Sequence, residues 1–193
     1  MHGTGDVRFF DRIAPLYGWL MPAADPDALG AGFARAERTV DRVLDVGGGS
    51  GRAAEAVPVE DRIVVDFSRG MLSRARDRGL AAVQGDAGTL PVPDAVVDAV
   101  VIVDALHHFP DQAGALREAA RVLRPGGVLV VRDFDPSHPL GVLLVAAERA
   151  MGMGSTFSGP EALAAAVADA GLDASVVDSG FGYTVAGVAP KSD

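Results

Sequence analysis

The feature that most constrains the fold is the run Val96-Val97-Asp98-Ala99-Val100-Val101-Ile102-Val103, apolar and β-branched almost throughout. A strand with one wet face alternates polar and apolar residues. A run without alternation is buried on both faces, as in a parallel sheet covered by helices. Shorter runs of the same kind are Arg42–Val46, Arg62–Phe67, Ala81–Gln84 and Val128–Arg132. Helical stretches separate them: Gly51–Val57, Ser68–Arg78 with Ser68 as N-cap and Gly79 as stop, and Asp111–Leu123, closed by Pro125-Gly126-Gly127. Pro160-Glu161 opens a further helix that runs to Ala170 and stops at Gly171. Strand and helix in alternation predict an α/β fold with crossover helices on both faces. The end of the chain differs. Ala174–Asp178 and Tyr183–Val188 are joined by residues 179–182, a hairpin length, so the pair is antiparallel. The expectation is a seven-stranded mixed sheet with only the last strand reversed. Residues 7–38 look helical, broken at Pro15, Pro22 and Pro26, and residues 134–156 form an extra segment after the fifth strand.

Composition narrows the function. The chain has 193 residues, 49% hydrophobic and 22% charged, which suits one packed core and excludes a disordered polymer. There is no cysteine, so disulfides, thiol catalysis and metal–thiolate sites are excluded. The net charge of −9 argues against nucleic acid as the partner. Lys191 is the single lysine and Asp far outnumbers Glu, a pattern of salt adaptation or of GC-rich coding. The apolar stretch Val142–Ala147 is much shorter than the ~20 residues of a membrane span. Met1–Asp6 lacks the basic-then-apolar pattern of a secretory signal, so the reading is a cytoplasmic monomer or homodimer.

The chemistry sits in the turns after the strands. Asp45-Val46-Gly47-Gly48-Gly49-Ser50-Gly51 follows the first strand and opens the first helix. Glycines there allow tight turning and close approach of a ligand, at the strand ends where open α/β sheets bind. Gly49–Ala54 also fits a dinucleotide fingerprint, which leaves a nicotinamide oxidoreductase as an alternative. Asp66 ends the second strand, where a carboxylate can accept both hydroxyls of a ribose. Gly85-Asp86-Ala87 follows the third strand, Asp104-Ala105-Leu106-His107-His108-Phe109 the fourth, and Leu123-Arg124-Pro125-Gly126-Gly127 leads into the fifth.

These five motifs, in this order and with a reversed last strand, resemble class I S-adenosylmethionine-dependent methyltransferases, from about Val43 to Val188. Phe10-Asp11-Arg12-Ile13-Ala14-Pro15-Leu16-Tyr17 is similar to the lead-in of the ubiquinone/menaquinone-biosynthesis group and its small-molecule relatives, although Asp104–His108 departs from that group's polar sequence. The resemblance implies a Rossmann-like single domain over residues 1–193: a helical cap (1–40), a cofactor-binding core (41–133), a lid-like insertion (134–156) and a C-terminal helix and hairpin (157–193). It implies S-adenosylmethionine as cofactor, S-adenosylhomocysteine as product and a small, apolar or aromatic methyl acceptor. Gly47 and Gly49 would lie against the methionine part and Asp45 would hold its amino group. Asp66 would take the ribose hydroxyls, Phe67 would flank the adenine, and Asp86 and Ala87 would bind the adenine edge. Asp104 would offer its carbonyl near the amino group, with Ala105 beside the sulfonium.

On the acceptor side the candidates are His108, preferred over His107, as base, and Tyr17 as an acceptor contact or cover. His138 and Asp133 are further candidates. His107, His108 and His138 fit no zinc spacing, and no metal is expected. The apolar segment Ser137–Met153 reads as a lid, a dimer face or core. A protein that binds the cofactor without turnover is the remaining alternative.

Overall fold

The computed structural model describes residues 25–191. Asp25 caps the first helix, accepting from the N–H groups of Asp27 and Ala28 at 3.1 and 3.3 Å, and Pro26 begins it. That helix, α1, spans Pro26–Phe33. Then follow β1 (Arg42–Val46), α2 (Arg52–Ala56), β2 (Asp61–Asp66), α3 (Arg69–Asp77), β3 (Ala81–Gln84), β4 (Val97–Val103), a 3₁₀ turn (Leu106–His108), α4 (Gln112–Val122), β5 (Leu123–Phe134), α5 (Pro139–Ala150), α6 (Pro160–Asp169), β6 (Asp173–Asp178) and β7 (Gly182–Val188). The expected lead-in at Phe10–Tyr17, with Tyr17 itself, lies outside the described residues.

The seven strands lie in the order β3-β2-β1-β4-β5-β7-β6. β7 is inserted between β5 and β6 and runs antiparallel to both, so six strands are parallel and the last is reversed. β5 is longer than the Val128–Arg132 run suggests. It begins at Leu123, and Arg124–Gly127 bulge out of the ladder, because Val97 pairs with Leu123 while Ala99 pairs with Val128. The Pro-Gly-Gly turn is therefore a bulge inside a strand, with Gly126 at φ +75°.

Burial follows the run that predicted it. Val97–Ile102 are buried in sequence, with side chains alternating between two cores. Val100 and Ile102 face Leu116 and Val122 of α4 and Leu163 and Val167 of α6. Ala99 and Val101 face Leu29 of α1 and Ala53 of α2. Leu72 and Ala75 of α3 extend the second layer over Val64. α5 is different: Leu140, Val142, Leu143 and Met151 at its face and end are more than half exposed, and only Gly141 and Glu148 are buried. It is not core.

The reversal of strand order at β1 opens a crevice at the carboxyl ends of β1 and β4, the site favoured for ligands in such sheets. Gly51 turns the chain from this crevice into α2 with φ +83°, and a Cβ there would collide with Leu80 Cδ1. Gly51→Ala is expected to destabilise by about 2–4 kcal/mol, from the left-handed backbone and overpacking together. A guanidinium midpoint unchanged from the parent would contradict this.

Candidate functional site

Three strand ends and their turns meet in the crevice. The Gly47 N–H donates to Val65 O at 2.8 Å, tying the glycine loop to β2. The Gly49 N–H donates to Asp66 Oδ2 at 2.8 Å, and the Ser68 N–H donates to Asp66 Oδ1 at 2.7 Å. The carboxylate of Asp66 thus spans the first two strand-to-helix turns. Gly47 has φ +68°, and a Cβ on it would stand 2.7 Å from the Phe109 ring. The loop after β4 is pressed against the glycine loop.

Asp45 lies beneath that loop, 1% exposed. Its Oδ2 accepts from Ala54 N–H at 3.1 Å, while Oδ1 is buried with no hydrogen-bond partner among the described residues. Burial pushes its pKa up to about 7; Asp66 adds to the rise, against the Ala54 N–H and Arg52. A buried acceptor oxygen lacking a donor suits a ligand that brings one, above all an ammonium group. Asp104, at the end of β4, holds the left-handed conformation at φ +51°. Strain of this kind at a strand end persists where it serves to aim a group. Burial and the charge of Asp133 raise the Asp104 pKa.

The other expected positions are placed as follows. Phe67 is 52% exposed beside the loop. Asp86 closes its own turn, accepting the Gly88 N–H at 2.8 Å, with Ala87 half-buried beside it. Ala105 is buried against Gly47. His138 caps α5, its Nδ1 accepting from Leu140 N–H at 3.2 Å.

A second group of polar side chains lies under α5. His107 is 3% exposed, stacked on Phe157 with ring centroids 4.2 Å apart, and its Nδ1 is 2.6 Å from Asp133 Oδ1. Burial opposes charge on His107, but the hydrogen bond and charge of Asp133, with Glu148 and Asp104 behind them, hold its pKa above the ordinary value. His108 lies against Ser155 Oγ at 3.1 Å, and burial, helped by His107, pushes its pKa down to about 3. At neutral pH His108 is therefore an uncharged hydrogen-bonding group and a weak base. Glu148 is the participant that sequence reading missed. Its only signal is its place seven residues after Gly141, on the same face of an otherwise apolar helix.

Residues 44–131 match the family model described as a methyltransferase domain. A 27-O-demethylrifamycin SV methyltransferase of Amycolatopsis mediterranei (strain S699) is 40% identical over 108 residues, which cover 50% of this chain and 40% of that protein. A demethylmenaquinone methyltransferase of Mycobacterium marinum is 42% identical over 105 residues, covering 53% and 45%. The chain thus spans less than half the length of these curated relatives. Among solved structures, a SAM-dependent methyltransferase from Thermotoga maritima, described as a possible histamine N-methyltransferase, superposes with TM-score 0.79 at 22% identity, covering 94% of this chain and 98% of that one. The 4+2 cyclase SpnF superposes with TM-score 0.74 at 20% identity, covering 96% and 95%. Residues 44–131 are thus similar to a methyltransferase domain, and the fold of the chain is the one that SAM-dependent methyltransferases of known structure share.

The contact expected between Asp45 and an ammonium group carries a pH dependence. A carboxyl raised to about 7 is protonated in the free protein below neutrality and must lose its proton to hold an ammonium ion. Affinity for S-adenosylhomocysteine is expected to fall toward tenfold per pH unit below 7 and to level off above it. Asp45→Asn is expected to bind more weakly, without this slope. The same raised pKa makes the ionised side chain a burden on the folded state, absent below the unfolded value near 3.8, growing through pH 4–7 and full above it. Asp45→Asn should therefore raise the melting temperature of the ligand-free protein at pH 8 and not at pH 4. A pH-independent affinity in the parent would refute this contact.

Proposed function

We propose that this chain transfers the methyl group of S-adenosylmethionine to a small, apolar or aromatic acceptor and releases S-adenosylhomocysteine. The observation that carries this reading is the pair of carboxylates under and beside the glycine loop: Asp45 with a buried oxygen lacking a donor, and Asp66 at the next strand end. Asp45 takes the ammonium of the amino-acid tail, and Gly47 and Gly49 lie against that tail, Gly49 with room where a Cβ would stand. Asp66 accepts the sugar hydroxyls, Phe67 covers one face of the base, and Asp86 and Ala87 meet its edge. Asp104 and Ala105 border the reacting group. When bound, the cofactor supplies an electrophilic methyl carbon on a positively charged sulfur.

The chain's own contribution is to hold the two reactants in line and to exclude water. The acceptor-side candidates are His108, uncharged at neutral pH, and Tyr17. The rifamycin and menaquinone enzymes that this chain resembles support a small organic acceptor over a macromolecule. A cytoplasmic monomer or homodimer belongs to the same reading.

Calorimetry separates this reading from a nicotinamide enzyme. S-adenosylhomocysteine is expected to bind and NADH is not; preferential binding of NADH ends the proposal. Asp66→Ala is expected to weaken S-adenosylhomocysteine binding by about 1–3 kcal/mol through loss of a charged acceptor. Unchanged affinity in a variant that melts like the parent would remove Asp66 from the ribose role. Binding without methylation of any acceptor in a quinone and polyketide panel would favour the non-catalytic alternative.

A further inference from the structure

The polar group under α5 is not balanced by its own hydrogen bonds. His107 Nδ1 is 2.6 Å from Asp133 Oδ1, and an ionised carboxylate can only accept, so Nδ1 carries the hydrogen. In the neutral ring Nε2 is then a bare lone pair. It faces another acceptor, Glu148 Oε1, at 3.8 Å. Glu148 is 7% exposed, and its Oε2 is buried with no hydrogen-bond partner among the described residues. A proton on Nε2 does not repair this, because 3.8 Å is beyond hydrogen-bond reach and Oε2 still lacks a donor. His108 converges on the same point: ligand atoms of His107, His108 and Glu148 all lie within 4.8 Å of one another.

We propose that His107, His108 and Glu148 bind one divalent first-row transition-metal ion, with Asp133 orienting His107 from behind. Metal–nitrogen and metal–oxygen bonds of about 2.0–2.2 Å set ligands of a tetrahedral ion roughly 3.4 Å apart, close to the spacing already present between Nε2 and Oε1. The ion takes the His107 lone pair and the Glu148 carboxylate together, which no single proton can do. A histidine whose far nitrogen donates to a carboxylate is the usual supported ligand, its ring orientation and basicity set by that bond. Imidazole ligands favour zinc, cobalt or iron(II) over magnesium or calcium. Three protein ligands leave a fourth position for water or an acceptor oxygen, as in catalytic rather than structural zinc sites. The site also accounts for α5, a helix with exposed apolar residues that buries a carboxylate against the body of the protein. Spacing along the chain could not show this, since the third ligand comes from a helix beyond β5. The inference is independent of the cofactor reading.

The test uses the full chain, treated with chelator and titrated with Co²⁺. One equivalent is expected to bind with a visible ligand-field band, to be displaced by Zn²⁺ and to resist excess Mg²⁺. Glu148→Gln and His107→Asn should each weaken binding at least tenfold, while His138→Asn, which keeps a capping acceptor on α5, should leave it unchanged. If the site variants melt early, nitrogen-15 spectra of the parent decide. Zinc should shift His107 Nε2 strongly while Nδ1 keeps its hydrogen. No saturable uptake by the folded parent overturns the proposal, and so does uptake that neither site variant changes. In either event S-adenosylhomocysteine binding can persist, so failure here and failure of the cofactor reading are distinguishable.

Discussion

The carboxylate of Asp66 is the interaction on which the crevice depends. It receives the N–H of Gly49 from one strand-to-helix turn and that of Ser68 from the next. Ser68 is the N-cap of α3 and Gly49 lies two residues before the N-cap of α2, so neither N–H has an intrahelical partner. One side chain thus holds two helix entrances at a set separation, and that separation defines the mouth of the site. Gly47–Gly49 have no side chains with which to hold themselves, and they are tied to β2 through Asp66 and through the bond from Gly47 to Val65 O.

Two buried aspartates show how the molecule separates structure from function. Asp98, at the start of β4, receives Arg38 and Arg124 at 2.9 Å and the N–H groups of Asp41 and Arg42 at 3.2 and 3.0 Å. Those donors hold its carboxyl below the usual range despite burial. It staples the chain before β1 to β4 and to the bulge of β5, and nothing about it asks for a ligand. Asp45 is equally buried and receives a single N–H. At the carboxyl edge of the sheet lie also the strained backbone of Asp104 and the orphan oxygen of Glu148. Unmet hydrogen-bonding capacity costs stability and is retained where something else is to be bound.

Much of the crevice was readable from residue order, because its elements are local. A strand, a glycine turn and a helix follow one another within ten or so residues, and the acid that ends the next strand falls in a predictable place. The polar group under α5 is not local. His107, Asp133, Glu148 and Phe157 come from a 3₁₀ turn, a strand, an added helix and a loop, and no spacing joins them. The preference for His108 over His107 illustrates the limit. The two are adjacent in sequence and equivalent in type, yet His107 has the Asp133 carboxylate at 2.6 Å, while burial keeps His108 uncharged.

The amino-acid sequence by itself determined the parallel sheet, the position of its crevice and the reversed final strand. Unalternating apolar runs have no other stable burial, and a short connection permits only a hairpin. It could not determine that Leu123–Phe134 is one bulged strand, since continuity there rests on pairing with β4 and β7. Nor could it determine which charged groups end up facing each other. That was decided when α5 folded back over the 3₁₀ turn and set the carboxylate of Glu148 against the ring of His107, because electrostatic partnership depends on distance in space and not on separation along the chain.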